Sequence, residues 1–198
     1  MALRKLVAHR LRAAIAQEAP IEERKGIVAW DFGNLPDSLE ATRAALRKAG
    51  ALHDLVITSG GVSVGEEDHV KPAVEAEGEL SLWSIAIKPG KPLAFGKVGQ
   101  ADFVGLPGNP VSAYVTFSLL VRPFIRKCQG AVELLPKRRQ LAAGFEWSKP
   151  GNRREFLRVR VGEDGRLERY PNQSSGVLTS CVWADGLADL PAGTKVSP

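Results

Sequence analysis

Hydrophobic positions recur along this chain in two rhythms. Between residues 26 and 128, short runs that are apolar throughout alternate with stretches whose apolar residues fall at helical spacing. "GIVAW" and "LHDLVITS" read as strands. Between them "LPDSLEATRAALRKAG" reads as a helix, with Asp37 or Ser38 near its cap, Leu39, Ala44 and Leu46 spaced for a buried face, and Gly50 as its stop. "VKPAVEAEG" predicts a short helix, "LSLWSIAI" a strand and "KPGKP" a loop. "LAFGKV" and "DFVGL" predict two more strands about a turn at Gly99, and "VSAYVTFSLLVRPFIRKCQG" a long helix. Continuously apolar strands interleaved with helices are buried on both faces, which predicts α/β architecture: a three-layer αβα, doubly wound, mostly parallel sheet. Ligands of such sheets lie beyond the carboxyl ends of the strands. "SGGVSVGEED" and "LPGNP" both fall there.

After Gly130 the rhythm changes. "LLPKRRQLAAGFEW", "REFLRVRV", "GRLERYP" and "GVLTSCVWADGLADLPAGTKV" read as short alternating strands broken by Gly, Pro and Asn turns. The expected organisation is an α/β domain over residues 1–132 and a small β-rich, barrel-like domain over 133–198. At the other end, "MALRKLVAHRLRAAIAQEA" reads as an amphipathic helix. Arg10, Arg12 and Glu18 interrupt what would be the apolar region of a signal peptide.

Composition narrows the function classes. Of 198 residues, 44% are hydrophobic and 25% charged, the balance of a globular chain with a sizeable core. No apolar run approaches the ~20 residues of a membrane span, so no membrane role is expected. The two cysteines, Cys128 and Cys181, are far apart and lack a partner motif, which argues against a disulfide scaffold or zinc site and suits a cytoplasmic, reducing location. The sequon Asn172-Gln173-Ser174 matters only in a secreted protein. A net charge of +5 admits anionic partners such as phosphorylated metabolites. Nucleic acid is the weaker option, with Lys137-Arg138-Arg139 and Arg153-Arg154 as its basic clusters.

Three motifs carry candidate chemistry. In "LPGNPVSAYVTF", Asn109 suits an N-cap and Pro110 the first helical position, so Gly108 and Asn109 lie where helix N–H groups can meet an anion; the same residues also serve simply to end a strand and begin a helix. In "TSGGVSVGEED", Gly60 and Gly61 let backbone approach a ligand, and Thr58, Ser59 and Ser63 offer hydroxyls. The stretch matches neither the P-loop nor the dinucleotide fingerprint. Its acids, Glu66, Glu67 and Asp68, suit either a hard cation such as Mg²⁺ or the start of a helix. "KPGKP" offers Lys88 and Lys91 to an oxyanion, or to solvent. His9, His53 and His69 are scattered without metal-pair spacing.

Taken together, "SGGVSVGEEDHVK", "IKPGKPLAFG" and "GLPGNPVSAYVTF", in this order, resemble the molybdopterin molybdenumtransferase family, that of MoeA and the gephyrin E domain. "REFLRVRV" and "QSSGVLTSCVWADGLADLP" resemble its β-rich last domain. The resemblance implies a MogA-like molybdopterin-binding domain that takes adenylylated molybdopterin and molybdate, uses Mg²⁺ for metal insertion, releases AMP and works as a homodimer. It implies functional positions at Asp37, Asp68, Lys88, Pro107, Pro110, Arg158 and Ser175, with Asp37 and Asp68 on the cation. It extends from about Asn34 to the end. The family's T-G-D-E strand and N-terminal domains are not seen, and Ser84 stands where a second lysine is common, so a partial member with an unpaired sheet edge is expected. The same family implies an alternative, a scaffold-type module that binds a pterin or a protein partner without catalysis.

Overall fold

Strands β3 (Leu55–Ser59) and β7 (Ala101–Leu106) are the parallel pair at the centre of a six-stranded sheet. The structure, a computed structural model, describes residues 5–10, 28–62 and 69–198. The sheet is completed by β1 (Lys5–Arg10), β2 (Val28–Asn34), β4 (Gly78–Ser84) and β6 (Pro92–Val98), in the order β2-β1-β3-β7-β6-β4. The α/β class is as the sequence predicts, but the sheet is mixed. Only β3 and β7 run parallel; β1–β2, β1–β3, β6–β7 and β4–β6 are antiparallel. The apolar runs reported burial on both faces, and burial does not fix strand direction.

Helices α1 (Leu39–Leu52) and α2 (Val70–Glu77) cover one face, where Leu46, Ala49, Val70, Ala73 and Val74 cluster with Val56, Ala94, Val98 and Phe103. Alternation along β6 turns Phe95 to the opposite face, where its ring meets Phe124 edge-on at 6.2 Å. Phe124 belongs to α4 (Arg122–Cys128), so helices flank the sheet on both sides. Among the described residues no helix is long and apolar enough to cross a membrane.

Several local expectations hold and others change. Ser38 caps α1, its Oγ accepting the Ala41 N–H at 3.2 Å. The buried stripe of α1 is Thr42, Leu46, Ala49 and Gly50, whereas Leu39 and Ala44 face solvent. Gly50 does not stop the helix, which runs to Leu52. It lets α1 approach β6, because a Cβ there would collide with the Val98 carbonyl oxygen. The predicted long helix starts at Pro110 as expected, but its middle, Phe117–Val121, is a π turn between α3 (Pro110–Thr116) and α4, with the Arg122 N–H reaching the Phe117 carbonyl. Pro123 has no N–H and its ring would crowd the Leu119 carbonyl in a regular helix; the wider turn relieves that. Residues Lys5–Arg10, expected in an amphipathic helix, form β1, and residues 11–27 lie outside the description. Backbone pairing on both sides, to β2 and β3, overrides the local helical pattern. With β1 in place, β3 has no free edge; the outer strands are β2 and β4.

"LSLWSIAI" is two strands in different sheets: β4 ends at Ser84, and β5 (Ile87–Lys88) joins a second sheet with β8 (Arg154–Val161), β9 (Leu167–Arg169) and β10 (Gly186–Leu190). This sheet is open and not a closed barrel. The span 134–147 contributes only isolated bridges, Ala143 to Leu167 and Trp147 to Val196, and α5 (Thr179–Trp183) interrupts the expected strand that follows. The chain divides into two compact units. One holds the six-stranded sheet; the other comprises Ile85–Lys91, Asn109–Val115 and Pro136–Pro198.

In the first unit, Glu77 ends α2 between two arginines of α1: Arg47 forks onto it at 2.8 Å and Arg43 adds a bond at 2.8 Å. These bonds, with Arg47 foremost, hold its carboxyl at about 2 against the opposing effect of desolvation.

Gly50→Ala tests the close approach of α1 to β6. Helix propensity alone favours Ala by about 1 kcal/mol, but overpacking costs about 1–3 kcal/mol. Because the atom met is backbone, the clash is expected to win, lowering Tm by a few degrees, roughly 2–4 °C per kcal/mol at this size. An unchanged or raised Tm in calorimetry would show that the helix can back away.

Candidate functional site

In the first unit, parallel pairing sets Ser59 opposite Leu106, so the turns after β3 and β7 leave the sheet side by side. Gly60 and Gly61 have φ of 81° and 73°, a left-handed conformation that favours glycine. The Gly60 N–H donates to the Leu106 carbonyl at 3.0 Å, and a Cβ at Gly108 would lie 3.5 Å from the Gly60 Cα. Gly60, Gly61, Pro107 and Gly108 therefore form one pair of adjoining turns. Ser59 is half-buried beside them, and the Thr58 hydroxyl is buried without a partner among the described residues. Ser63 and Asp68 lie outside the described residues.

Asp37 sits just before the α1 cap, 67% exposed, with an oxygen 3.7 Å from His69 Nε2. A hard divalent cation needs several oxygen donors in one place. Among the described residues there is no group of three or more His, Cys, Asp or Glu that could hold a metal ion.

In the second unit, β8 is the spine. Residues Glu155 to Val159 are all buried, including two charges. Lys88 of β5 is the direct partner of Glu155, and its Nζ reaches the carboxylate at 2.8 Å. Trp147 Nε1 donates to the other carboxylate oxygen at 2.7 Å, and the Gly151 N–H donates to it at 3.4 Å. Burial alone would raise the Glu155 carboxyl, but bonds from Lys88, Trp147 and Gly151 outweigh it and leave the group below its ordinary value.

Arg158 is 1% exposed. Its Nε donates to Ser180 Oγ at 3.0 Å and a terminal nitrogen to the Ser174 carbonyl at 3.1 Å. Gln173 clamps its backbone, accepting the Arg158 N–H and donating to the Arg158 carbonyl, both at 3.0 Å. No carboxylate among the described residues pairs with the guanidinium, and burial pushes it below its ordinary value. Glu155, Arg158, Lys88, Trp147 and Gln173 border a cavity of about 290 Å³. Lys88, half-exposed, brings a cation to this cavity beside the buried Glu155 carboxylate; the Arg158 side chain, three residues further along a strand of regular register, points to the other face of β8.

The remaining positions fall elsewhere in this unit. Lys91 is exposed, its carbonyl accepting the Ile85 N–H. Pro110 is exposed at the first turn of α3, and the Asn109 carbonyl accepts the Ala113 N–H at 2.9 Å. The Ser175 carbonyl accepts the Val111 N–H at 3.1 Å, so that amide is already engaged. Glu155, Trp147 and Gln173 escaped the sequence reading. A carboxylate in an apolar strand, "REFLRV", was the available signal for the first.

The fold and site define a class: an α/β domain with adjoining glycine turns, joined to a small open sheet around a buried arginine. The chain belongs to the molybdopterin molybdenumtransferase family. Residues 9–127 match a model described as a probable molybdopterin binding domain, and residues 140–198 match the MoeA C-terminal region, domain IV. The molybdopterin molybdenumtransferase of Haemophilus influenzae is 48% identical over 141 residues, covering 70% of this chain and 35% of that protein. The Drosophila melanogaster molybdenum cofactor synthesis protein cinnamon is 38% identical over 174 residues, covering 83% and 28%. A solved structure of the MoeA protein from Pyrococcus horikoshii is 32% identical with a TM-score of 0.65, covering 80% of this chain and 38% of that one. The chain thus spans about a third of the length of these relatives.

Because the folded state holds Glu155 below the ordinary carboxylate value of 4.5, its ionised form contributes stability above that pH and loses it as pH falls through the folded value. In denaturant unfolding, Glu155→Gln is expected to be less stable than wild type near neutrality, with the gap closing in acid. A gap constant from pH 7 to pH 3 would contradict this.

Proposed function

We propose that this chain binds adenylylated molybdopterin and molybdate and takes part in molybdenum insertion, the step that releases AMP. The observation that carries the reading is Arg158, a guanidinium kept 99% out of solvent that pairs with no carboxylate among the described residues. Burying a charge unpaired is costly, and a bound oxyanion supplies the missing partner. Lys88, half-exposed at the β8 cavity, offers a second cation. In the other unit, Gly60, Gly61 and Gly108 give the pterin a backbone surface without side-chain obstruction, and Ser59 adds a hydroxyl. Lys91 extends the positive charge of the KPGKP loop, and Pro107 and Pro110 hold the second glycine turn in shape. Ser175 fixes the start of α3 through its carbonyl. Asp37, and Asp68 beyond the described residues, supply carboxylates to the same chemistry.

The chemistry belongs to the cytoplasm, which suits two cysteines that are both free. Homodimer assembly is part of the proposal: β2 and β4 each pair on one side only among the described residues, leaving backbone edges open. Sedimentation at twice the chain mass is expected, and a monomer at all concentrations would remove that element.

Titration calorimetry with molybdate tests the site. A charge-assisted bond is worth about 1.5–3 kcal/mol, so Arg158→Gln is expected to weaken binding about 10- to 100-fold. Its Tm should hold or rise, since an unpaired buried charge disfavours folding. Unaltered molybdate affinity in the variant, or undetectable binding of molybdopterin to the wild type, would sink the reading.

A further inference from the structure

We propose that Glu155, braced by Trp147, is a positioning residue that holds the Lys88 ammonium at the mouth of the β8 cavity, where an oxyanion enters. This rests on the reading of that cavity as an oxyanion site. Lys88 is 49% exposed, so nothing about its own burial would keep a long, flexible side chain in one place. Glu155 is 2% exposed and cannot wander. Parallel register puts the two residues directly opposite, which builds the ammonium's reach into the sheet.

The carboxylate is itself anchored. One oxygen takes the Trp147 indole N–H at 2.7 Å and the Gly151 amide at 3.4 Å, leaving the other for Lys88. The Trp147 backbone bonds Val196 in both directions, at 2.9 and 3.1 Å, and the Arg169 guanidinium lies 5.4 Å from the centroid of its ring. A fixed path therefore runs from backbone through indole and carboxylate to the ammonium. That ammonium has three donors and spends one on Glu155, so two remain for a ligand.

An opposing effect exists. The negative charge of Glu155 repels an anion, and Coulomb attraction considered alone says that Glu155→Gln should tighten binding. Three donors already converge on that carboxylate, whereas among the described residues Glu155 is the one side chain that bonds the Lys88 ammonium. Loss of placement is therefore expected to outweigh relief of repulsion.

The test is molybdate titration of Glu155→Gln, Lys88→Met and the double variant. Glu155→Gln should weaken binding about tenfold although it removes a negative charge. Lys88→Met should weaken it at least as much, and the double variant should be no weaker than Lys88→Met alone. Trp147→Phe keeps the ring and deletes the N–H; a loss of about threefold that vanishes in the Lys88→Met background carries the same conclusion if Glu155→Gln fails to fold. Tighter binding by Glu155→Gln, or losses that add in the double variant, would overturn the proposal. If the wild type does not bind molybdate, the cavity reading fails, and Lys88 is still decided by lysine ¹⁵N resonance. A slowly exchanging Lys88 ammonium signal that disappears in Glu155→Gln upholds the positioning role, and a Lys88 signal exchanging as fast as other surface lysines refutes it.

Discussion

A charge placed on a strand buried along five consecutive residues has to be answered within reach, and β8 carries two. Glu155 is answered three times, by an ammonium, an indole and an amide. Among the described residues the Arg158 side chain meets only neutral acceptors, a serine hydroxyl and a carbonyl. That asymmetry organises the second unit. Within the buried run Glu155 is matched by a cation of the chain, and the Arg158 guanidinium meets no carboxylate among the described residues. The surrounding elements follow suit: Gln173 fixes the backbone of Arg158, Ser180 on α5 orients its side chain, and β5 delivers Lys88 in register.

The first unit solves a different problem with a different device. What its glycine turns offer is backbone, made approachable by two successive left-handed glycines and a third alongside. The single parallel pairing in the sheet is what makes the turns neighbours, because parallel strands end at the same edge. The antiparallel strands around it are peripheral to that purpose.

Much of this was legible locally. The Ser38 cap, the start of α3 at Pro110 and the strands β6 and β7 follow from residues that act on their immediate neighbours, as do the glycine turns themselves. The family likeness rests on the same short motifs. What local reading misses is set by distant partners. Lys5–Arg10 is a strand because β2 and β3 flank it, and Gly50 is a contact point because Val98 lies across from it. Strand direction was misread for the same reason, since each ladder is chosen by its partner. Glu155 shows the limit most plainly: its role depends on Lys88, 67 residues away.

The second unit is assembled from three separate stretches of chain, Ile85–Lys91, Asn109–Val115 and Pro136–Pro198. Severing the polypeptide at Leu135 would strip β8 of its β5 neighbour and would cut the Ser175 carbonyl off from Val111. A fragment beginning at Pro136 therefore holds only one of the three stretches that make up this unit, and lacks the backbone and side-chain partners the other two bring to it.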